Sequence, residues 1–154
     1  MSSVLDIWKK SEKSGFGRWF FSFMVCRKAP YFSTIRPRFE VLEVGRAQVS
    51  MKKRRGVQNH IGTVHAIAMC NLAELAGGTM TEVSVPRSMR WLPKGMTVSY
   101  VRKAETDITA YATLPVVEEG AARDVDASVE IKDTAGHVVC KAVITMYVSP
   151  KKAS

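Results

Sequence analysis

From Val64 to Ala76 the chain runs thirteen residues without proline or glycine, built almost wholly of Ala, Ile, Met, Leu and Cys, and then meets Gly77-Gly78. That composition predicts a helix of about three and a half turns, ended by the glycine pair. A surface helix carries a polar face and this one lacks it, so the rest of the chain must surround it. Only His65, Asn71 and Glu74 interrupt the apolar run.

A buried helix needs a wrapping layer, and the segments around it supply one with a period of two. Val125, Ala127, Val129 and Ile131 alternate with Asp126, Ser128 and Glu130; Val138, Cys140, Ala142, Ile144, Met146 and Val148 form a second alternating set. The Asp133–Gly136 turn between them predicts a hairpin. Thr97–Ala104 and Thr106–Leu114 read as another strand pair, and Glu82–Trp91 as a less regular strand broken by Pro86. Upstream, Phe39–Val44 and Ala47–Met51 read as a hairpin split by Gly45. Ser3–Ala29 is helical and rich in aromatics, best read as two short helices joined near Gly15 and Gly17, with Pro30 and Pro37 marking a turn-rich connection. The expected class is α+β: a strongly curved antiparallel sheet around one central helix. The expected organisation is an N-terminal helical segment (1–36) packed on a domain at 37–150, with a tail at 151–154.

A chain of 154 residues fits one domain. Its longest strongly apolar run, Trp19–Cys26, is far short of the ~20 residues that span a bilayer, and no small-residue cleavage site follows it. A soluble, cytoplasmic protein with no transmembrane segment is expected. Three cysteines, with no C-x-x-C pair, read as free thiols in a reducing compartment. His60 and His65, five residues apart, fit poorly as metal ligands on one helix face, so neither metal nor cofactor is expected. Twenty-three Lys and Arg against fourteen Asp and Glu give a net charge of +9, which favours polyanions in general. The run Lys52–Arg55 lacks aromatic interleaving and any helix-turn-helix pattern, so nucleic acid is not the expected partner. Trp8, Trp19, Phe20, Phe21 and Phe23 among Lys9, Lys10, Lys13 and Arg18 would suit an anionic membrane, although packing across an open sheet edge is the commoner use of such a segment.

The apolar helix is preceded by N-H-x-G-x-x-H (Asn59, His60, Gly62, His65), carries L-A-E at Leu72–Glu74, and is followed by an antiparallel sheet. This pattern resembles the hotdog-fold acyl-CoA thioesterases of the phenylacetate-pathway (PaaI) type. Arg90–Gly95 (RWLPKG) and Tyr100 with Lys103-Ala104 resemble an uncharacterised branch that also has two leading helices. The resemblance runs from Pro37 onward. It implies a hotdog fold and hydrolysis of an acyl-CoA substrate. Position by position, it makes Glu74 the helix carboxylate acting as general base or nucleophile, and Ala66 the helix-start residue whose N–H polarises the thioester carbonyl. Asn59 becomes a thioester- or water-binding amide, and Ser84 a hydroxyl that positions water. Ala stands at 66 where relatives have Gly, and Glu at 74 where many have Asp.

Thioester hydrolysis needs donors for the developing oxyanion and a base or nucleophile converging on one carbon. A helix start supplies free N–H groups, and Glu74, read as lying near the helix C-terminus among apolar neighbours, should resist ionisation and so suit a base. Yet eight residues of helix separate Ala66 from Glu74 by ~12 Å, too far to share one carbonyl. A two-fold that sets two such helices antiparallel solves this, which predicts a homodimer, or a dimer of dimers, with Asn59 and Ala66 from one chain and Glu74 and Ser84 from its mate. His60, Gly62 and His65 would line the pocket, His65 also serving as a helix cap. Asn71, three residues before Glu74, would hydrogen-bond it. Arg54, Arg55, Arg87, Arg90, Arg102 and Lys103 are candidates for the phosphates of coenzyme A. Two other functions remain open: a hydratase or dehydratase, since His60 and Glu74 stand fourteen residues apart, and a catalytically idle hotdog that binds acyl-CoA or lipid.

Overall fold

The computed structural model describes residues 3–152. Two helices lead, α1 (Ser3–Ser11) and α2 (Gly15–Lys28), followed by a 3-10 turn at Pro30–Ile35. Ser14 caps α2 by accepting the Gly17 N–H at 2.9 Å. Strands β1 (Arg38–Glu43) and β2 (Arg46–Met51) form the first hairpin. The central helix α3 spans Ala66–Ser84, and β3 (Met89–Tyr100), β4 (Ile108–Thr113), β5 (Arg123–Asp133) and β6 (Val138–Pro150) complete the chain.

All six strands join one antiparallel sheet in the order β1-β2-β4-β5-β6-β3. Helix α3 lies across its concave face, in contact with every strand. The strands beneath it carry small inward residues: Ala47, Ala110, Ala112 and Ala127 are each at most 1% exposed. Leu72, Leu75 and Met80 of the helix fill the space above them, also fully buried. The leading helices share this core. Trp8 packs edge-on against Phe21 (centroids 5.1 Å), and Phe21 against Phe39 of β1 (5.1 Å), so aromatic burial worth roughly 1.5–3 kcal/mol per side chain holds the N-terminal segment to the sheet. Ser22 adds a polar link, its hydroxyl accepting the Phe39 N–H at 2.9 Å.

The expected two helices, the first hairpin and the β5–β6 hairpin are present, the last with its Asp133–Gly136 turn. Three expectations are corrected. Helix α3 does not stop at Gly77-Gly78 but continues to Ser84. The glycines serve packing: a Cβ at Gly77 would sit 2.8 Å from Ile144 Cδ1, and one at Gly78 3.3 Å from the Trp91 ring. The strand expected at Glu82–Trp91 is therefore the last turn of α3 and the start of β3, which runs through Pro93 at a register shift. Nor do the segments around residues 97–104 and 106–114 pair with each other. β3 pairs along its length with β6, from Met89 opposite Pro150 to Tyr100 opposite Cys140, whereas β4 lies between β2 and β5. The buried set Ile108, Ala110 and Ala112 continues the inward face of Ala47, Val49 and Met51 directly opposite, and this burial match decides the pairing.

β3 thus forms one edge of the sheet. Its outer positions are largely exposed, Leu92 at 65% and Tyr100 at 52%. A twelve-residue edge of this kind presents unpaired backbone groups to a further strand.

Candidate active site

The start of α3 is held by a compact loop. Asn59 Oδ1 accepts from the amides of Ile61 (3.2 Å) and Thr63 (3.1 Å), and its Nδ2 donates to Thr63 Oγ1 at 2.8 Å. Gly62 takes φ +80° at the tip, and His60 is exposed beside it. The Val64 amide then donates to Ala104 O and the His65 amide to Val57 O, tying the entry to the helix on both sides. His65 is the N-cap: its Nδ1 accepts the Ile67 N–H at 3.0 Å, which fixes the ring proton on Nε2. Ala66 is the first helical residue, and neither its N–H nor that of Ala68 has an acceptor within the helix. Two concavities flank this start, one against Ile61, Tyr100 and Lys103, the other against Tyr31, Thr34 and Asn71. Asn59 therefore shapes the loop that presents the helix start, with both lone pairs of its side-chain oxygen engaged.

Glu74 lies midway along α3. Ten residues of this helix are buried, including Leu72, Ala73, Leu75 and Ala76 on either side of it, yet Glu74 is exposed. It borders a groove of about 380 Å³ lined chiefly by Val25, Phe32, Leu75, Trp91, Pro93 and Met146. The expectation of a desolvated acid near the helix C-terminus is corrected on both counts: the helix continues ten residues past Glu74, and the carboxylate faces solvent in the single chain. With Ile67 and Glu82, Glu74 forms an exposed line along α3, flanked by half-buried Cys70 and Gly78. Cys70 Sγ lies 3.2 Å from Tyr100 Oη of the edge strand, and that hydrogen bond, with some burial, leaves the Tyr100 hydroxyl pushed up to about 12.

Ser84 does not join this group. It is the last residue of α3, ten positions and ~15 Å of helix beyond Glu74. Its hydroxyl donates to Met80 O at 2.6 Å and accepts the Gly45 N–H at 2.8 Å, tying the helix end to the first hairpin. The expected water-positioning role is incompatible with that separation. Asn71 is corrected too: it is 6% exposed, and its Nδ2 donates to Thr34 Oγ1 at 3.1 Å rather than to Glu74. Its Oδ1 is buried without a partner.

The basic candidates split into two groups. Arg54 and Arg55 lie near the start of α3, but the Arg54 guanidinium donates to Thr34 O, and burial together with neighbouring Arg36 lowers its proton affinity. Arg55, Arg102 and Lys103 are exposed. Arg87 and Arg90 lie beyond the other end of α3, where with Lys151 they line a cavity of about 560 Å³; Arg90 Nε also donates to Ser149 Oγ at 3.2 Å. The sequence reading missed Thr79 and Lys28, which border the Glu74 groove along with Glu82, itself the acceptor of the Trp91 indole N–H at 2.9 Å. Thr79 was hidden by taking Gly77-Gly78 as a stop.

The fold, a curved antiparallel sheet around one central helix with two leading helices, is the hotdog fold of the thioesterase superfamily. Residues 17–148 match the domain of unknown function DUF4442, and the chain belongs to that family. A crystal structure solved as a structural-genomics target is 42% identical, with a TM-score of 0.83, and the match covers 96% of this chain and 98% of that one. A Pseudomonas aeruginosa protein of unknown function, named a probable thioesterase, is 26% identical (TM-score 0.75; 83% and 92% covered). A Staphylococcus aureus thioesterase shares the fold at 19% identity (TM-score 0.69; 79% and 99% covered). No curated protein matches the chain. Among the described residues no helix is long and apolar enough to cross a membrane.

Proposed function

We propose that this protein is a thioesterase that hydrolyses an acyl-CoA in a composite site between two copies of the chain. One observation carries the reading: of the two exposed carboxylates on α3, Glu74 lies midway along the helix between buried neighbours at the rim of an apolar groove, whereas Glu82 near the helix end accepts the Trp91 indole N–H. The groove, at about 380 Å³, is within the range of small-molecule sites and suits an acyl chain. Glu74 takes a proton from the water that attacks the thioester carbon, and the carbonyl oxygen becomes an oxyanion held by the Ala66 amide; as the oxyanion collapses the C–S bond breaks, and the proton on Glu74 passes to the departing sulfur, giving acid and thiol. Thr79, bordering the same groove, replaces Ser84 as the hydroxyl available to that water.

The spacing along α3 supports the dimer. Position 70 is midway between 66 and 74, so a two-fold passing near Cys70 brings the helix start of each copy opposite Glu74 of the other. The exposed line Ile67–Glu74 and the open edge β3 lie on the same side of the molecule, where they offer that axis a surface. Burial against a second copy would supply the desolvation that Glu74 lacks in one chain. In the Staphylococcus aureus thioesterase the glutamine and glutamate replaced by alanine in two crystal structures stand fifteen residues apart, the separation of Asn59 and Glu74 here.

The test is thiol release from a panel of acyl-CoAs by wild type and Glu74→Gln. Turnover that falls at least a hundredfold in the folded variant supports the reading. Tight acyl-CoA binding with no turnover by wild type would instead identify an idle binding protein.

A further inference from the structure

Helix α2 is apolar on the side that faces solvent. Phe16, Trp19, Phe20 and Phe23 recur at helical spacing on one face, with Phe16 74% and Trp19 54% exposed, while Phe21 and Ser22 behind them are buried. The outward rings contact one another, Phe16 and Trp19 at 5.7 Å between centroids and Trp19 and Phe23 stacked at 5.8 Å. They form a continuous aromatic ledge rather than scattered exposed residues.

Positive charge surrounds the ledge. The first 52 residues hold ten Lys and Arg against four Asp and Glu, so six of the chain's nine net positive charges lie there. Lys13 precedes α2, Arg27 ends the aromatic stripe, and a groove beside Trp19 and Phe23 is lined by Arg36, Arg38 and Lys52. Glu40 is already shared between Arg18 (3.2 Å) and Arg38 (3.5 Å), and exposed Glu12, next to Lys13 in sequence, leaves the balance of this segment positive. Among the described residues no carboxylate forms an ion pair with Lys13, Arg27, Arg36 or Lys52.

We infer that α2 docks on an anionic membrane surface, its aromatic face entering the headgroup region and the surrounding cations meeting lipid phosphates. Tryptophan and phenylalanine beside Lys and Arg are the chemistry of an interfacial helix. A second copy of the chain suits this face poorly, because two-fold packing would set the same unpaired cations against each other. The inference does not depend on the thioesterase reading, since α3 takes no part in it.

The test floats the full chain with phosphatidylcholine vesicles made with and without phosphatidylglycerol, at low and at physiological salt. Binding is expected only to vesicles containing phosphatidylglycerol, and it should weaken as salt rises. Trp19→Ser with Phe20→Ser should lower partitioning at least tenfold, roughly the loss expected for two interfacial aromatics. Lys13→Gln with Arg27→Gln should lower it on the order of thirtyfold. All four side chains are exposed, so both variants should keep the wild-type melting profile. Absence of binding at low salt, or variants that float like wild type, would overturn the inference. A self-association lost on Trp19→Ser would also overturn it, by assigning the ledge to a second copy.

Discussion

Ala66→Pro separates the proposed catalytic amide from the helix it begins. Proline is tolerated at the first helical position, where the missing N–H has no intrahelical acceptor to lose. The residue before a proline must be extended, and His65 already is, at φ −64° and ψ 138°. The cap from His65 Nδ1 to the Ile67 amide and the first helical bond, Met69 N–H to His65 O at 3.2 Å, are untouched. Stability should therefore change by no more than about 0.5 kcal/mol. If the Ala66 N–H holds the oxyanion, its removal costs about 2.7–4 kcal/mol of transition-state stabilisation, or 10²–10³ in kcat. Thiol-release kinetics and urea unfolding on the same preparation measure the two quantities. Ala66→Gly, which keeps the N–H, should retain turnover. An Ala66→Pro protein with wild-type kcat and an unchanged unfolding midpoint would refute the assignment of this amide.

Three further outcomes test the packing and the polar contacts. Gly77→Ala should destabilise by about 1 kcal/mol, because overpacking against Ile144 at 2.8 Å outweighs the gain in helix propensity, whereas Gly78→Ala, facing a half-buried Trp91 at 3.3 Å, should be neutral or stabilising by up to about 1 kcal/mol; equal effects in urea unfolding would contradict this difference. Ser84→Ala should cost about 1 kcal/mol by leaving the half-buried Gly45 N–H without its acceptor, yet leave kcat unchanged, where a catalytic hydroxyl would reduce it. At the β5–β6 turn, partial desolvation pushes the Asp133 carboxyl upward, but hydrogen bonds from the His137 and Ala135 amides and the His137 ring prevail and hold it below its ordinary 3.8. A lowered value means this contribution is present above about pH 4 and lost as pH falls through the lowered one, so Asp133→Asn should flatten the acid limb of the stability–pH curve.

What could be read from the sequence was whatever one periodicity decides locally. The alternation at Val125–Ile131 and Val138–Val148 fixed a hairpin because each strand has one buried face, and the apolar Val64–Ala76 run announced the central helix. Local cues failed where tertiary packing sets their meaning. Gly77-Gly78 looks like a helix stop in one dimension, but it is a place where the backbone of α3 packs against Ile144 and Trp91 with little room for a Cβ. The same error carried Ser84 into a strand and concealed Thr79. Strand order was equally illegible, since β4 pairs with β2 across the whole of α3 and β3. The motif did locate the helix start and Glu74 on one helix; that Glu74 faces solvent while its neighbours are buried depends on how α3 is rolled against the sheet.

The central claim is that the helix start of one copy works with Glu74 of another, and subunit exchange between two inactive variants tests it most directly. Mixed under conditions that let subunits exchange, Ala66→Pro and Glu74→Gln chains form heterodimers in which one site has both intact groups. Such a mixture should recover roughly a quarter of wild-type turnover, since about half the dimers are mixed and each has one working site. No recovery in a mixture that contains heterodimers would contradict the claim.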